Sequence, residues 1–85
     1  MTARIYLITF VLRGKNRKEI LKHLMKGDKT QAELHKLTGM YRTHVRRTLN
    51  ELIEKNLVKC LNPKDRIYKI YTLTTIGKRI ARKYN

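Results

Sequence analysis

Side chains with the chemistry to bind nucleic acid are concentrated in one short stretch of the chain, residues 41–50. Arginine can donate two hydrogen bonds to a guanine, asparagine can pair with adenine, and threonine or tyrosine can reach a phosphate oxygen or a thymine methyl group. The candidate binding residues of this stretch are Tyr41, Arg42, Thr43, His44, Arg46, Arg47 and Asn50. Their chemistry is that of a surface that contacts bases and phosphates.

The element that carries these residues is a predicted helix over residues 41–55. Val45, Leu49, Leu52 and Ile53 recur at i, i+4, i+7 and i+8, which is the spacing of a single apolar face. If that face packs on the core, helical geometry directs the polar side chains toward solvent or a partner. An exposed helical face of this composition suits a groove of DNA.

Positions along this helix are expected to differ in role. Tyr41 to His44 lie near its start and are the expected base readers. Arg46 and Arg47 diverge by about 100° around the helix axis, so they should not read the same base, and one is expected to hold a phosphate. The alternative interpretation is a solvated basic stripe on an ordinary surface helix.

Two shorter predicted helices precede the basic one. Over residues 16–26, apolar residues recur at helical spacing, and Gly27-Asp28 ends the pattern. Over residues 30–38, Thr30-Gln31-Ala32-Glu33 fits a capping box, in which the threonine oxygen accepts from a free amide and the glutamate reaches back. The side chains that this second helix is expected to bury are Ala32, Leu34 and Leu37.

A glycine turn separates the second helix from the third. In Thr38-Gly39-Met40 the glycine can adopt a positive φ, which ends one helix and lets the chain turn into the next. Short turns of this form are typical of a helix-turn-helix unit. Asn56 is predicted to end the third helix in a left-handed conformation.

A two-stranded antiparallel hairpin is predicted over residues 57–73. Leu57–Leu61 and Arg66–Leu73 are rich in Val, Ile, Tyr and Thr, and they flank a polar turn around Pro63. The candidate phosphate contacts of this hairpin are Lys64, Arg66 and Lys69. Basic residues on such a turn are equally an ordinary solvated surface, so both interpretations stay open.

The two ends of the chain carry much apolar surface. Thr74 can cap a helix over residues 74–84. Its predicted apolar face comprises Ile76, Ile80, Ala81 and Tyr84. In the N-terminal segment, residues 4–12 have β-type composition but no clean period, so strand and helix both remain open there. Because these ends hold more apolar residues than one small domain needs to display, we expect them to form a homodimer interface.

A basic cluster at the start of the first helix is a further candidate for phosphate contact. It comprises Arg13, Lys15, Arg17 and Lys18. A helix N-terminus disfavours positive side chains and attracts anions, so a phosphate would be stabilised there. A mobile solvated loop explains the same residues equally well.

Four stretches of the chain carry a family resemblance. They are Arg13–Leu21, Leu37-Thr38-Gly39, Glu51–Val58 and Tyr71–Gly77. In this order and spacing they resemble the MarR/ArsR-type winged-helix regulators, especially small archaeal ones, over residues 11–83. The resemblance implies an α+β, mainly α fold, namely a winged helix-turn-helix with a three-helix core, a two-stranded hairpin wing and a C-terminal helix.

The same resemblance implies a function. Such regulators control transcription at specific sequences, usually as homodimers, with the third helix in the major groove and the wing beside the minor groove. Two positions depart from the pattern. Tyr41 stands where a small hydroxyl residue often caps the recognition helix, and Asn56 stands where a glycine is usual.

The charge balance also indicates a nucleic-acid partner. The 85-residue chain, long enough for one domain with a modest core, has 21 Lys and Arg against 6 Asp and Glu, a formal net charge of +15. Such a charge repels itself and is relieved by a polyanion, so we expect double-stranded DNA. The alternatives are a non-specific architectural or RNA-binding protein of the same fold, and a protein-interaction subunit of a larger complex.

Other chemistry is not expected. Cys60 is a lone cysteine, which fits a reducing cytoplasm, and with His23, His35 and His44 it lacks the paired short spacings of a zinc site. The apolar run Ile5–Leu12 is far shorter than the ~20 residues of a membrane span. With no nucleophile set or phosphate loop in the sequence, we expect no enzyme, no cofactor, no metal, no membrane anchor and no small-molecule substrate.

Overall fold

The computed structural model describes residues 2–83, which form five α-helices and three short β-strands. In chain order the elements are α1 (Thr2–Leu12), α2 (Lys15–Met25), β1 (Lys29–Thr30), α3 (Gln31–Thr38), α4 (Arg42–Glu54), β2 (Val58–Cys60), β3 (Ile70–Leu73) and α5 (Thr75–Arg82). The predicted α+β, mainly α class is confirmed. The ends of α2, α3 and α4 lie within one residue of the predicted ends.

The core lies where α2, α3 and α4 meet. Its buried side chains from these helices are Ile20, Leu21, Leu24, Leu34, Val45, Leu49 and Leu52. The same cluster also contains residues from the other elements, namely Val11, Leu57, Val58, Tyr71, Leu73, Ile80 and Ala81. These buried side chains fix the orientation of α4, because its inward face cannot rotate without exposing them to water.

The predicted apolar faces of two helices are wrong at their edges. In α4 the buried residues are Val45, Thr48, Leu49 and Leu52, a stripe that leaves Ile53 at the margin with 37% of its surface exposed. In α3 only Leu34 is buried, while Ala32 and Leu37 are exposed. The partly buried residues of α3 are Gln31, His35 and Thr38, which share a face with Leu34 at i, i+3, i+4 and i+7.

Both ends of α3 are fixed by local features of the sequence. The predicted capping box is present: Thr30 Oγ1 accepts from the Glu33 amide at 3.1 Å, and Glu33 accepts from the Thr30 amide at 2.8 Å. Gly39 adopts the predicted left-handed conformation, with φ 73°. His35 Nδ1 lies 2.6 Å from the Met40 carbonyl oxygen and so bridges the turn. The start of α3 is therefore fixed by the capping box, and the turn that follows the helix is bridged by His35.

A three-stranded antiparallel sheet packs beside the helices. β3 is central and pairs with β1 through Lys29 to Tyr71 and with β2 through Val58 to Leu73. The two-residue β1 was not predicted, because a strand of that length shows no alternation of side chains. It places the start of α3 against the hairpin.

The predicted second hairpin strand is wrong over residues 66–69. β2 and β3 are joined by a loop over residues 61–69, hereafter the wing loop, and Asp65 donates its amide to Asn62 in a turn at 3.0 Å. Asp65 Oδ1 accepts from the Ile67 and Tyr68 amides at 2.9 and 2.8 Å. Because side chains of the loop take these amides, they are not available for a strand ladder.

The N-terminal segment, which the sequence left open, is the helix α1. Val11 is buried, Leu7, Ile8 and Phe10 pack partly against the core, and Ile5, Tyr6 and Leu12 are exposed. Apolar residues thus occur all around this helix, which explains why its sequence has no clean period. Within residues 2–83, no helix combines the length and apolarity that crossing a bilayer requires.

The last helix is joined tightly to the end of α4. Asn56 takes the predicted left-handed conformation, with φ 60°. Thr74 Oγ1 caps α5 by accepting from the Gly77 amide at 2.9 Å, and it donates to the Asn56 carbonyl oxygen at 2.8 Å. Ile80 and Ala81 are buried as predicted, whereas Ile76 is 40% exposed, and Tyr84 lies outside the described residues.

Candidate nucleic-acid interface

The predicted binding face of α4 is exposed along its length. Burial of Val45, Leu49 and Leu52 turns the polar positions between them outward. The exposed residues on this face are Tyr41, Arg42, Thr43, His44, Arg46, Arg47 and Asn50. The structure therefore brings together every residue that the sequence assigned to this helix, and we call these seven residues the basic face.

The basic face begins at Tyr41, which is the N-cap residue of α4. Its backbone is extended, and its side chain makes no capping hydrogen bond. Its ring, 74% exposed, instead packs edge-on against His44, with ring centroids 5.6 Å apart. The departure seen in the sequence therefore exchanges a capping hydroxyl for an exposed aromatic pair at the start of the helix.

Arginines of the basic face border three different clefts. Arg42 lines a cleft shared with the wing loop, and Arg46 lines a shallow cleft with Thr43 and Asn50. Arg47 lines both that shallow cleft and a second one, of about 340 Å³, against the start of α2. The two adjacent arginines thus share the shallow cleft, and only Arg47 also borders the cleft against α2.

The basic cluster at the start of α2 is divided by the fold. Arg13 and Lys15 line the 340 Å³ cleft beside Arg47 and are exposed, and Lys18 is also exposed. Arg17 is only partly exposed and bonds to the protein itself. The structure thus brings three of the four predicted cations, Arg13, Lys15 and Arg17, to the cleft beside the basic face, and Arg17 is the one that is bonded within the protein.

Arg17 holds three elements together. Its Nη1 donates to the Phe10 carbonyl oxygen at 2.6 Å, and its Nε and Nη2 donate to the Glu51 carboxylate at 3.3 and 3.4 Å. Its guanidinium carbon lies 3.8 Å from the centroid of the Phe10 ring. Arg17 therefore links α1, α2 and α4, and its hydrogen bonds are made within the protein.

The wing loop adds cations beside the start of α4. Lys64, Arg66 and Lys69 are all exposed. Arg66 and Lys69 line the same cleft, of about 260 Å³, as Arg42, whereas Lys64 lies on the turn outside that lining. The loop also carries three exposed large apolar residues, Leu61, Ile67 and Tyr68, all of which were predicted to lie in strands.

The Asp65 carboxylate of the wing loop is hydrogen-bonded to the loop backbone. Hydrogen bonds from the Tyr68 and Ile67 amides lower the pKa of the Asp65 carboxyl below its ordinary value. The carboxylate is thus ionised and paired with backbone donors at neutral pH. The loop consequently presents its cations while its one acid is occupied.

The histidines and the cysteine lie apart from one another. His23 lies 3.7 Å from a Glu19 oxygen, His35 contacts the Met40 carbonyl, and His44 packs on Tyr41. Cys60 is partly buried, with its sulfur 3.7 Å from Asn62 Oδ1. In the part of the chain that the structure describes, no three metal-ligating side chains come together.

Residues 6–85 match the family model described as the HVO_A0261 N-terminal domain. No curated protein matches the chain by sequence.

Solved structures share the fold at low sequence identity. HlyU from Vibrio cholerae superposes with a TM-score of 0.82 and 20% identity, over 98% of this chain and 89% of its own. A MarR variant from E. coli superposes with a TM-score of 0.75 and 24% sequence identity, over 94% of this chain and 63% of its own. The adhesin competence repressor AdcR from Streptococcus pyogenes superposes with a TM-score of 0.75 and 20% sequence identity, over 84% of this chain and 54% of its own. This chain therefore spans about half the length of AdcR. These likenesses confirm the winged-helix fold that the sequence resemblance implied.

Proposed function

The chain belongs to the HVO_A0261 N-terminal domain family, and from the basic face that its winged-helix fold exposes we propose that it binds double-stranded DNA as a sequence-specific transcriptional regulator. The observation that carries this proposal is the basic face itself. Three arginines, an asparagine and two hydroxyl-bearing residues share the outward side of a helix whose inward side is fixed in the core.

The shape around this face supports a groove-bound helix. α4 is 13 residues long, and the wing loop and the start of α2 flank it with further cations. An α-helix fits the major groove of B-form DNA, and flanking cations can then lie against the two phosphate backbones. In this arrangement Arg42 and the residues around it read bases, while Lys15, Arg66 and Lys69 contact phosphates.

The proposed regulator acts as a homodimer in the cytoplasm. Two copies related by a twofold axis would place their α4 helices in major grooves about 34 Å apart and would require a pseudo-palindromic site. The exposed apolar residues Ile5, Tyr6, Leu12 and Ile76 on α1 and α5 support such an interface. One solved structure with this fold, AdcR, is named a repressor, and this supports a role in transcription.

A salt titration of binding tests the function. Fluorescence anisotropy should compare a duplex from the gene's own upstream region with a scrambled duplex of the same composition and with a structured RNA. We expect the native duplex to bind about 10³-fold more tightly than the scrambled one, which is the lower range for specific regulators. Equal affinity for all three would contradict sequence-specific regulation and would instead support an architectural protein.

Single arginine substitutions assign the basic face. Arg42→Ala should reduce the preference for the native duplex, because the lost contact is to a base. Arg46→Ala and Arg47→Ala separate a base contact from a phosphate contact, since loss of a phosphate contact weakens all duplexes alike and lowers the salt slope by about 1. Arg79→Ala, an exposed position on α5, is the control that removes the same charge elsewhere. Equal losses in all four variants would mean that only total charge matters.

A further inference from the structure

The 340 Å³ cleft between the start of α2 and the middle of α4 has a composition suited to an anion. Its volume lies in the lower range of small-molecule sites, and its lining comes from residues 13–17 and from four positions of α4. Its exposed cations are Arg13, Lys15 and Arg47. Of the lining residues only Glu51 is acidic, and its carboxylate is already paired with Arg17.

The backbone amides at the start of α2 are free on this cleft. The N-cap residue is Gly14, which has no side chain that could accept from them. The Lys18 amide donates to the Gly14 carbonyl oxygen at 3.1 Å, but among the described residues nothing accepts from the amides of residues 15–17. Free amides and the helix dipole at such an end stabilise a bound anion.

Thr48 adds a second, independent feature, a buried hydroxyl on the other wall of the cleft. It is 3% exposed and is the one buried polar residue of the described chain. No described residue is hydrogen-bonded to its side chain. Because no side-chain polar atom there is both wholly buried and without a partner, the Thr48 hydroxyl keeps a small accessible area, which faces the cleft that Thr48 lines. A hydroxyl held in this way is satisfied only by a ligand or by water.

We propose that this cleft binds a free phosphate group, as inorganic phosphate or as the phosphate monoester of a small molecule, and that the bound anion competes with DNA. A phosphate monoester carries a charge of about −1.5 to −2 at neutral pH and has three acceptor oxygens. The donors available to it are the amides of residues 15–17, the three exposed cations and the Thr48 hydroxyl. Because these donors come from two helices, they can surround such a group from several directions.

The burial of Thr48 favours a free phosphate over a phosphate of the DNA backbone. A backbone phosphate carries one charge and two free oxygens, and it has a sugar on each side, so it suits the exposed side chains of Lys15 and Arg47. A monoester has a single substituent and can reach a hydroxyl that is almost wholly buried.

Occupation of the cleft has a consequence for DNA binding. An anion held there neutralises Lys15 and Arg47, which are both assigned to the DNA interface. This regulatory part of the inference rests on the proposed function: a rise in the concentration of the phosphate compound releases the protein from its DNA site.

Three small phosphates test the site without DNA. The full chain is titrated with inorganic phosphate, methyl phosphate and dimethyl phosphate at constant ionic strength in chloride, and the amide signals of residues 15–17 are followed by NMR. We expect saturable shifts with the first two and about tenfold weaker binding of dimethyl phosphate, which has less charge and one acceptor fewer. Equal binding of the monoester and the diester would contradict a site for free phosphate, and no response of these amides would contradict any anion site.

Substitutions of Thr48 test its hydroxyl. Thr48→Val keeps the shape of the side chain and should weaken phosphate binding about tenfold, because a hydrogen bond to a charged group is lost. Thr48→Ser keeps the hydroxyl and should retain most of the affinity. Thr75→Val removes an exposed hydroxyl of α5 and is the matched control that should leave phosphate binding unchanged. If Thr48→Val is folded by circular dichroism and binds phosphate like the wild type, the proposed site is wrong.

Competition is measured by fluorescence anisotropy with the upstream duplex. Replacing chloride by phosphate at equal ionic strength should weaken duplex binding of the wild-type protein. Thr48→Val should bind the duplex as tightly as the wild type in chloride and should lose this additional sensitivity to phosphate. Weaker duplex binding by Thr48→Val in chloride would mean that a phosphate of the DNA backbone occupies the cleft, which would contradict the proposal.

The outcomes distinguish failure of the anion site from failure of the proposed function. If the wild-type protein binds the upstream duplex but the amides of residues 15–17 do not respond to phosphate, DNA binding stands and the anion site is wrong. If phosphate binds in a manner that depends on Thr48 but no duplex binds at low salt, the anion site stands and the proposed function fails, and competition fails with it. If both bind without affecting one another, the regulatory part is wrong.

Discussion

Arginines with the same charge have different roles because of what surrounds them. Arg17 is held by Phe10 and by Glu51, which lies 34 positions away in sequence, so its role follows from the packing of α2 against α4. Arg42, Arg46 and Arg47 are exposed on a helix whose inward face is apolar. The spacing of apolar residues in α4 predicts the second group, but nothing local in the sequence identifies the partner of Arg17.

Gly77 is predicted to be essential for the position of α5. A Cβ atom at this residue would overlap the Leu57 carbonyl oxygen, which also accepts the Thr74 amide at 3.0 Å. Glycine to alanine in a helix interior normally stabilises by 0.5–1 kcal/mol. Here we expect the opposite, a loss of about 2 to 3 kcal/mol in the free energy of unfolding, because backbone must move to relieve the overlap. Urea denaturation measures the difference.

The control for this substitution lies next to it. Lys78→Ala alters an exposed position of the same helix and should change stability by less than about 0.5 kcal/mol. Stabilisation by Gly77→Ala, or equal effects of the two changes, would show that α5 can shift without cost.

At the scale of elements, the helix-turn-helix could be predicted almost completely and the wing could not. Capping residues and apolar periods are local signals, and they place α2, α3 and α4 to within one residue. The wing loop has β-type composition, but the side chains of Asn62 and Asp65 take the backbone amides that a strand would use. The same error hid the exposed pair Ile67 and Tyr68, whose residue types suggest a strand until the loop is seen.

The start of α3 is predicted to depend on pH through Glu33. Hydrogen bonds from the Thr30 amide and side chain lower the pKa of the Glu33 carboxyl below its ordinary value of 4.5. A carboxyl with a lowered folded-state pKa stabilises the fold above pH 4.5, and this contribution is lost as the pH falls through the folded-state pKa. Glu33→Ala should therefore destabilise the protein most at neutral pH and progressively less at acid pH, measured by urea denaturation between pH 7 and 3.

Two further variants complete this test. Glu33→Gln keeps an acceptor for the Thr30 amide, but its amide side chain does not titrate. In this variant the loss of stability at acid pH that protonation of Glu33 causes should therefore be absent. Thr30→Ala removes the other half of the capping box and should cost about 1 kcal/mol at neutral pH. An effect of Glu33→Ala that is the same at every pH would mean that the carboxylate charge contributes nothing to the cap.

At the scale of the molecule, charge and apolar surface act in opposite directions. Each chain carries a formal charge of +15, so two chains brought together repel one another. The exposed apolar residues of α1 and α5 favour association, and burial of an exposed side chain such as Ile5, 67% exposed, gains free energy at any ionic strength. Whether the proposed dimer forms thus depends on how far salt or DNA screens the repulsion.

This balance predicts opposite salt dependences for the two associations of the protein. Raising salt screens the repulsion between subunits and should strengthen the dimer. It should weaken DNA binding, because each counterion released from the DNA gains less entropy when the solution already contains more salt. Sedimentation equilibrium should therefore show a mass approaching twice 10.2 kDa as salt rises. Ile5→Glu with Leu12→Glu should leave a monomer, while Leu37→Glu, on an equally exposed residue of α3, should not. A wild-type mass of one chain at every salt concentration would contradict the dimer and would require the protein to bind a single half-site.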